Sequence, residues 1–154
     1  MTVFLFLIVI CCTPLESLAL RDEKGELLAV YPLANGELFS VRYIHSVQKT
    51  PVIEVFSITT EGVIELRETI YEDFGAGLPF IVDGKKVFSS GGGKFRISGY
   101  AQPLGQIIFR IGRFADYHLL LRNEEIPFTR FGTPGKPLCF RGEVRPMLFS
   151  FFSH

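Results

Sequence analysis

LFSVRYIHSVQKTPVIEVFSIT, residues 38–59, holds two alternating stretches parted by a polar, proline-ended break. In the first, Phe39, Val41 and Tyr43 share one face of an extended chain, and His45 falls on the same face, because successive side chains point to opposite sides. In the second, Val52, Glu54, Phe56 and Ile58 share a face. Neither stretch repeats apolar residues at i, i+3 and i+4, so the pattern reads as a β-hairpin turning over Val47 to Pro51. Matching apolar to apolar sets Val41 opposite Ile58 and Tyr43 opposite Phe56. That register puts His45 opposite Glu54 at the open end of an apolar face.

The same texture continues on both sides. Short β-branched or aromatic runs closed by turn residues occur at Leu27 to Tyr31, Val63 to Tyr71, Phe80 to Val82, Val87 to Ser89, Lys94 to Ser98, Gln106 to Ile111, Tyr117 to Arg122, Ile126 to Arg130 and Leu138 to Val144. The 15 Gly and 9 Pro punctuate these runs and leave little room for long helices. The expected fold is all-β: a single antiparallel β-sandwich or barrel-like domain of about 8–10 short strands, preceded by a hydrophobic leader. Residues 20–146 form that domain and 147–154 an apolar tail, either a last strand or a contact patch.

Val3 to Cys12 is an apolar run of about ten residues, the length of a signal-peptide core and roughly half a membrane span. Thr13, Pro14 and Glu16 break it, and Ser17-Leu18-Ala19 has the small-x-small pattern that a signal peptidase reads. Residues 1–19 are therefore expected to be a signal peptide cleaved after Ala19. The alternatives are an uncleaved or lipid-anchored leader, which when retained would make the protein peripheral to the membrane, and a buried N-terminal strand of a cytosolic protein. Cleavage would leave Cys139 alone, with no internal disulfide and the environment of a small buried hydrophobe.

Charge narrows the partners. Sixteen basic residues balance sixteen acidic ones, and no basic block stands out, so duplex nucleic acid is not expected as a partner. A hydrophobic content of 47% with 16 Phe excludes disorder.

The sharpest polar feature is His45 with Glu54. The pair reads as a structural ion pair at a sheet edge, a ligand contact, or an oriented base. Ser46 follows His45 but faces the other way in an extended strand. Glu68 falls in alternation with Ile64, Leu66 and Ile70, on the core face. In the loop Glu72 to Pro79, Gly75 and Gly77 permit positive φ or close backbone approach, and Pro79 opens the next strand. The candidate binding residues are thus His45, Ser46, Glu54, Glu68, Gly75, Gly77 and Pro79. No catalytic residue, metal site or cofactor is assigned: Phe80 stands at the third glycine position of a dinucleotide fingerprint, Phe95 stands where a phosphate loop needs Ser or Thr, and G-x-S-x-G does not occur. Asp116 and His118 share a face as a polar edge.

Tyr43-Ile44-His45-Ser46-Val47, Thr50-Pro51-Val52-Ile53-Glu54-Val55-Phe56, Phe74-Gly75-Ala76-Gly77-Leu78-Pro79 and the Gly112 to Asp116 segment together resemble a bacterial domain-of-unknown-function family, number 1850. The resemblance spans nearly all of the chain after the leader; the Phe-rich C-terminus departs from it. Members of that family are often encoded beside TRAP-type transporters of the TAXI subclass. What the resemblance implies is a setting, solute uptake at the cell envelope, and no mechanism. Together with the leader and the lack of a catalytic motif, the expectation is an exported, periplasmic or outer-face accessory or binding module without catalytic activity, whose partner is the transporter, its solute-binding protein or a small solute. The rival readings are a small envelope hydrolase using His45 with Glu54 or Glu68, and a purely structural interaction domain.

Overall fold

The computed structural model describes residues 14–72 and 87–146. Within them the chain forms strands β1 (Pro14–Arg21), β2 (Leu27–Leu33), β3 (Phe39–Ile44), β4 (Pro51–Ile58), β5 (Ile64–Tyr71), β6 (Val87–Gly91), β7 (Lys94–Arg110), β8 (His118–Leu121), β9 (Glu124–Pro127) and β10 (Pro137–Pro146). All pairings are antiparallel, in the order β2-β1-β10-β7-β5-β4-β3-β8-β9, with β6 alongside β7. The fold is all-β, and the sheet curls into a half-barrel. Among the described residues no helix is long and apolar enough to cross a membrane.

The curl has a local cause. Lys94 to Ser98 and Gln106 to Ile111 read as two strands, but they belong to one strand of 17 residues, which ends at Arg110. Gly99 and Gly105, at φ 82° and 64°, let the backbone bend where the register with β5 slips. Before the bend β7 pairs with β5 and β6; beyond it, with β10. The concave face fills with Leu18, Leu20, Phe39, Phe56, Phe128 and Phe140, all at most 1% exposed. Phe39 spans this interior, its ring 5.3 Å from Phe56 and 6.3 Å from Phe140.

Two contacts draw the curled sheet together. Gly62, at φ 79° in the β4–β5 turn, lies against Gly142 of β10 so closely that a Cβ on Gly142 would strike the Gly62 carbonyl oxygen. Elsewhere Arg122, at φ 57° between β8 and β9, donates to the Pro32 carbonyl at 2.9 Å and to Glu37 at 2.8 Å. Those bonds join the β8–β9 edge to the β2 edge.

The hairpin read from residues 38–59 forms, with its apolar faces as expected and its register changed. Phe39 lies opposite Phe56, Val41 opposite Glu54 and Tyr43 opposite Val52. The turn closes earlier than apolar matching suggests: the His45 N–H donates to the Thr50 carbonyl, the Lys49 N–H donates to the His45 carbonyl, and Lys49 takes φ 58°. The expected pairing would have left a wide loop with its backbone groups unpaired, whereas this tight turn keeps the ladder intact to Pro51. His45 and Glu54 are therefore not partners across the hairpin.

A β-bulge corrects the reading of Glu68. The register of β5 slips between Leu66 and Glu68 while β4 passes directly from Val55 to Phe56, so Arg67 is an extra residue. Ile64 and Leu66 point inward before it, and Thr69 and Tyr71 after it; Glu68 and Ile70 turn to the convex face.

Further differences are smaller. Ile126 to Arg130 does not continue as a strand, since β9 stops at Pro127 and Phe128–Arg130 form a 3-10 turn. Cys139 is half-buried rather than buried, because Leu138 and Phe140 take the inward positions and leave its thiol 3.6 Å from the Gln106 side-chain oxygen. The junction expected after Ala19 lies inside β1. Val3 to Cys12, Gly75, Gly77, Pro79, Phe80 to Val82 and the 147–154 tail lie outside the described residues.

Candidate functional site

Glu54 projects from β4 onto the concave face between Val41 of β3 and Thr69 of β5. A carboxylate there loses hydration, and burial pushes its pKa above the usual carboxylate range. The Tyr43 hydroxyl donates to it and acts the other way, favouring the charged form. Tyr43 and Tyr117 are themselves pushed up, first by burial and then by the nearby Glu54 charge. Their rings stack at 5.2 Å, and Tyr117 stacks in turn on Phe128 at 5.4 Å. A polar core of one carboxyl and two phenols thus sits inside an aromatic wall.

Tyr117 also lines an open cavity of about 330 Å³ with Gly112, Arg113, Asp116, Phe128 and Pro134. The cavity is held to the hairpin by the Ile44 N–H, which donates to the Ala115 carbonyl at 2.6 Å. Asp116 has φ 46°, an uncommon conformation for a residue with a Cβ. Two large apolar side chains project at the same end: Val47 from the hairpin turn, 66% exposed, and Phe114, 87% exposed.

Arg42 neighbours Tyr43 in β3 and so points to the convex face. It reaches Glu125 at 2.5 Å, the His118 ring nitrogen at 3.0 Å and Asp116 at 3.6 Å. Asp116 and His118 are therefore members of an arginine-centred cluster on the outside of the sheet. Among the described residues no group of three His, Cys, Asp or Glu is arranged to hold a metal ion.

The expected site residues separate. His45 uses its ring Nδ1 to accept from the Val47 and Gln48 backbone N–H groups, each at 3.3 Å, and so caps its own turn. Ser46 is exposed in that turn. Glu54 faces inward, and Glu68 lies on the convex side with the Arg96 guanidinium 2.7 Å away. Tyr43 and Tyr117, which complete the Glu54 cluster, are easily read as ordinary core aromatics. The available signal was chemical: a buried phenol needs a partner for its hydroxyl, and Glu54 is the one polar member of an apolar face.

Neither the curated proteins nor the solved structures contain a match to this chain. The family model described as a domain of unknown function (DUF1850) matches residues 39–128, from the first residue of β3 to the aromatic wall at Phe128. The match covers more than half of the sequence, and the chain belongs to that family.

Proposed function

We propose that this protein is a non-catalytic accessory or binding module of the bacterial cell envelope, exported to the periplasm or the outer face of the cytoplasmic membrane and acting with a TRAP-type uptake system. The observation that carries the reading is the meeting of separate motif segments at one end of the sheet. The His45 hairpin, Glu54 and the Gly112 to Asp116 loop converge through the Ile44–Ala115 hydrogen bond and the Tyr43–Tyr117 stack. An aromatic cavity with a few polar groups suits recognition of a small solute, and the apolar tips Val47 and Phe114 beside it suit contact with a protein surface. The dispersal of His45, Glu54 and Glu68 over a turn and two faces also favours binding over hydrolysis, which needs its base and reacting groups within hydrogen-bond reach.

The test is co-purification with the transporter's components, using the native chain and Phe114→Ser. Association lost in the variant supports the reading, and unchanged association removes this surface from it. A thermal-shift screen of candidate solutes addresses the cavity, since a ligand at a hundred times its dissociation constant stabilises by about 2.7 kcal/mol.

A further inference from the structure

We infer that β1 is part of the folded protein and that any N-terminal processing falls at or before Pro14, not between Ala19 and Leu20. β1 is an interior strand, hydrogen-bonded to β10 on one side and β2 on the other. Leu18, Ala19 and Leu20 are all 0% exposed. A chain beginning at Leu20 would lose Pro14 to Ala19, six of the eight residues of this strand. It would strip β10 of one of its two partners, leaving only β7, and leave β2 with no neighbour in the sheet, exposing backbone groups on both strands.

The residues that imitate a peptidase site have a packing role. Leu18 and Leu20 enter the main core, Leu20 directly across from Phe140. Ser17 and Ala19 point the other way and are equally buried, in register with Glu143 and Arg141. Glu143 is gripped by Arg21 at 2.7 Å and by Arg145 at 2.5 Å, which draws a charged row across that face of the sheet. Small side chains at Ser17 and Ala19 leave room for the row, so the small-x-small pattern is accounted for by the fold.

The strand's direction has a functional consequence. β1 runs from Pro14, opposite Pro146, to Arg21, opposite Cys139. Cys139 lies near the end where β7 and β10 pair at Arg110 and Pro137, from which the chain enters the Gly112 loop. A tether upstream of Pro14 therefore attaches at the end of the sheet remote from the cavity.

The direct experiment is amino-terminal sequencing and intact mass of the folded protein recovered from the cells that make it. A first residue at or before Pro14 is expected; a cooperatively folded protein that starts at Leu20 overturns the inference. A second measurement uses the full-length gene carrying Leu18→Ala. The purified variant is expected to melt several degrees below the native protein. An identical Tm, the result if residue 18 is absent from the mature chain, also overturns it.

Discussion

Tyr43 and Glu54 share a hydrogen bond on the concave face although they are not register partners, Tyr43 lying opposite Val52 and Glu54 opposite Val41. The bond runs diagonally across the β3–β4 pair, within reach of a long aromatic side chain. It gives the buried Glu54 carboxylate a partner and ties the hairpin to the Tyr117 wall. The polar chemistry of the site therefore rests on a relationship that strand alternation does not display.

Glu54 should make stability fall with rising pH. Its folded-state pKa is raised, so its contribution is complete below the unfolded value and is lost as pH rises through the folded value. Glu54→Gln removes that loss and is expected to stabilise by on the order of 1 kcal/mol at pH 8, with little effect at pH 4. Melting curves across this range decide it; parallel pH profiles for the two proteins would refute the assignment.

Glu143 has the opposite sign. Burial works to raise its pKa, but the bonds from Arg21 and Arg145 outweigh that and hold the carboxyl below its usual range. Its contribution is present above the unfolded pKa and disappears as pH falls through the folded one. Glu143→Gln should cost about 0.5 kcal/mol at pH 7, a figure discounted for solvent screening. In denaturant titrations the gap to the native protein should close at acid pH.

Gly142 is where two backbones meet. Ala at this position would drive its methyl into the Gly62 carbonyl, so Gly142→Ala is expected to destabilise by about 1–3 kcal/mol. Gly91 has open space at its Cβ position and ordinary φ, and Gly91→Ala should stay within about 0.5 kcal/mol of the native protein. Equal melting temperatures for the two variants would count against the close approach.

Arg67 sets which side chains of β5 reach the core. Deleting it removes the bulge and turns Thr69 and Tyr71, 6% and 2% exposed, toward the convex face while bringing Glu68 inward. A loss of about 2–5 kcal/mol is expected, enough to abolish cooperative unfolding in many small domains. Arg67→Ala keeps the residue count and should be nearly neutral, so similar circular-dichroism melts for the deletion and the substitution would contradict the bulge assignment.

Much of the β architecture is legible locally. Phe39, Val41, Tyr43, Val52 and Phe56 fall on the expected face because alternation depends only on each strand's own pleat. The separation of His45 from Glu54 was not legible, since apolar matching ignores where a turn closes, and the bonds between His45, Lys49 and Thr50 close it two residues away from the expected register. Glu68 was misassigned because one extra residue inverts everything after it. Tyr117 joins Tyr43 across a long stretch of chain, and no local pattern records that contact.

The sequence by itself determined an antiparallel all-β domain, the apolar faces of its main hairpin and the motifs of its family, because these follow from residue type and a period of two. Only the tertiary structure decided that Leu18 to Leu20 complete an interior strand, that β7 bends the sheet, and that Tyr43, Glu54 and Tyr117 form one cluster. Those outcomes depend on which distant backbone fills a vacant edge and which side chain satisfies a buried polar group, and both are settled only when the sheet curls upon itself.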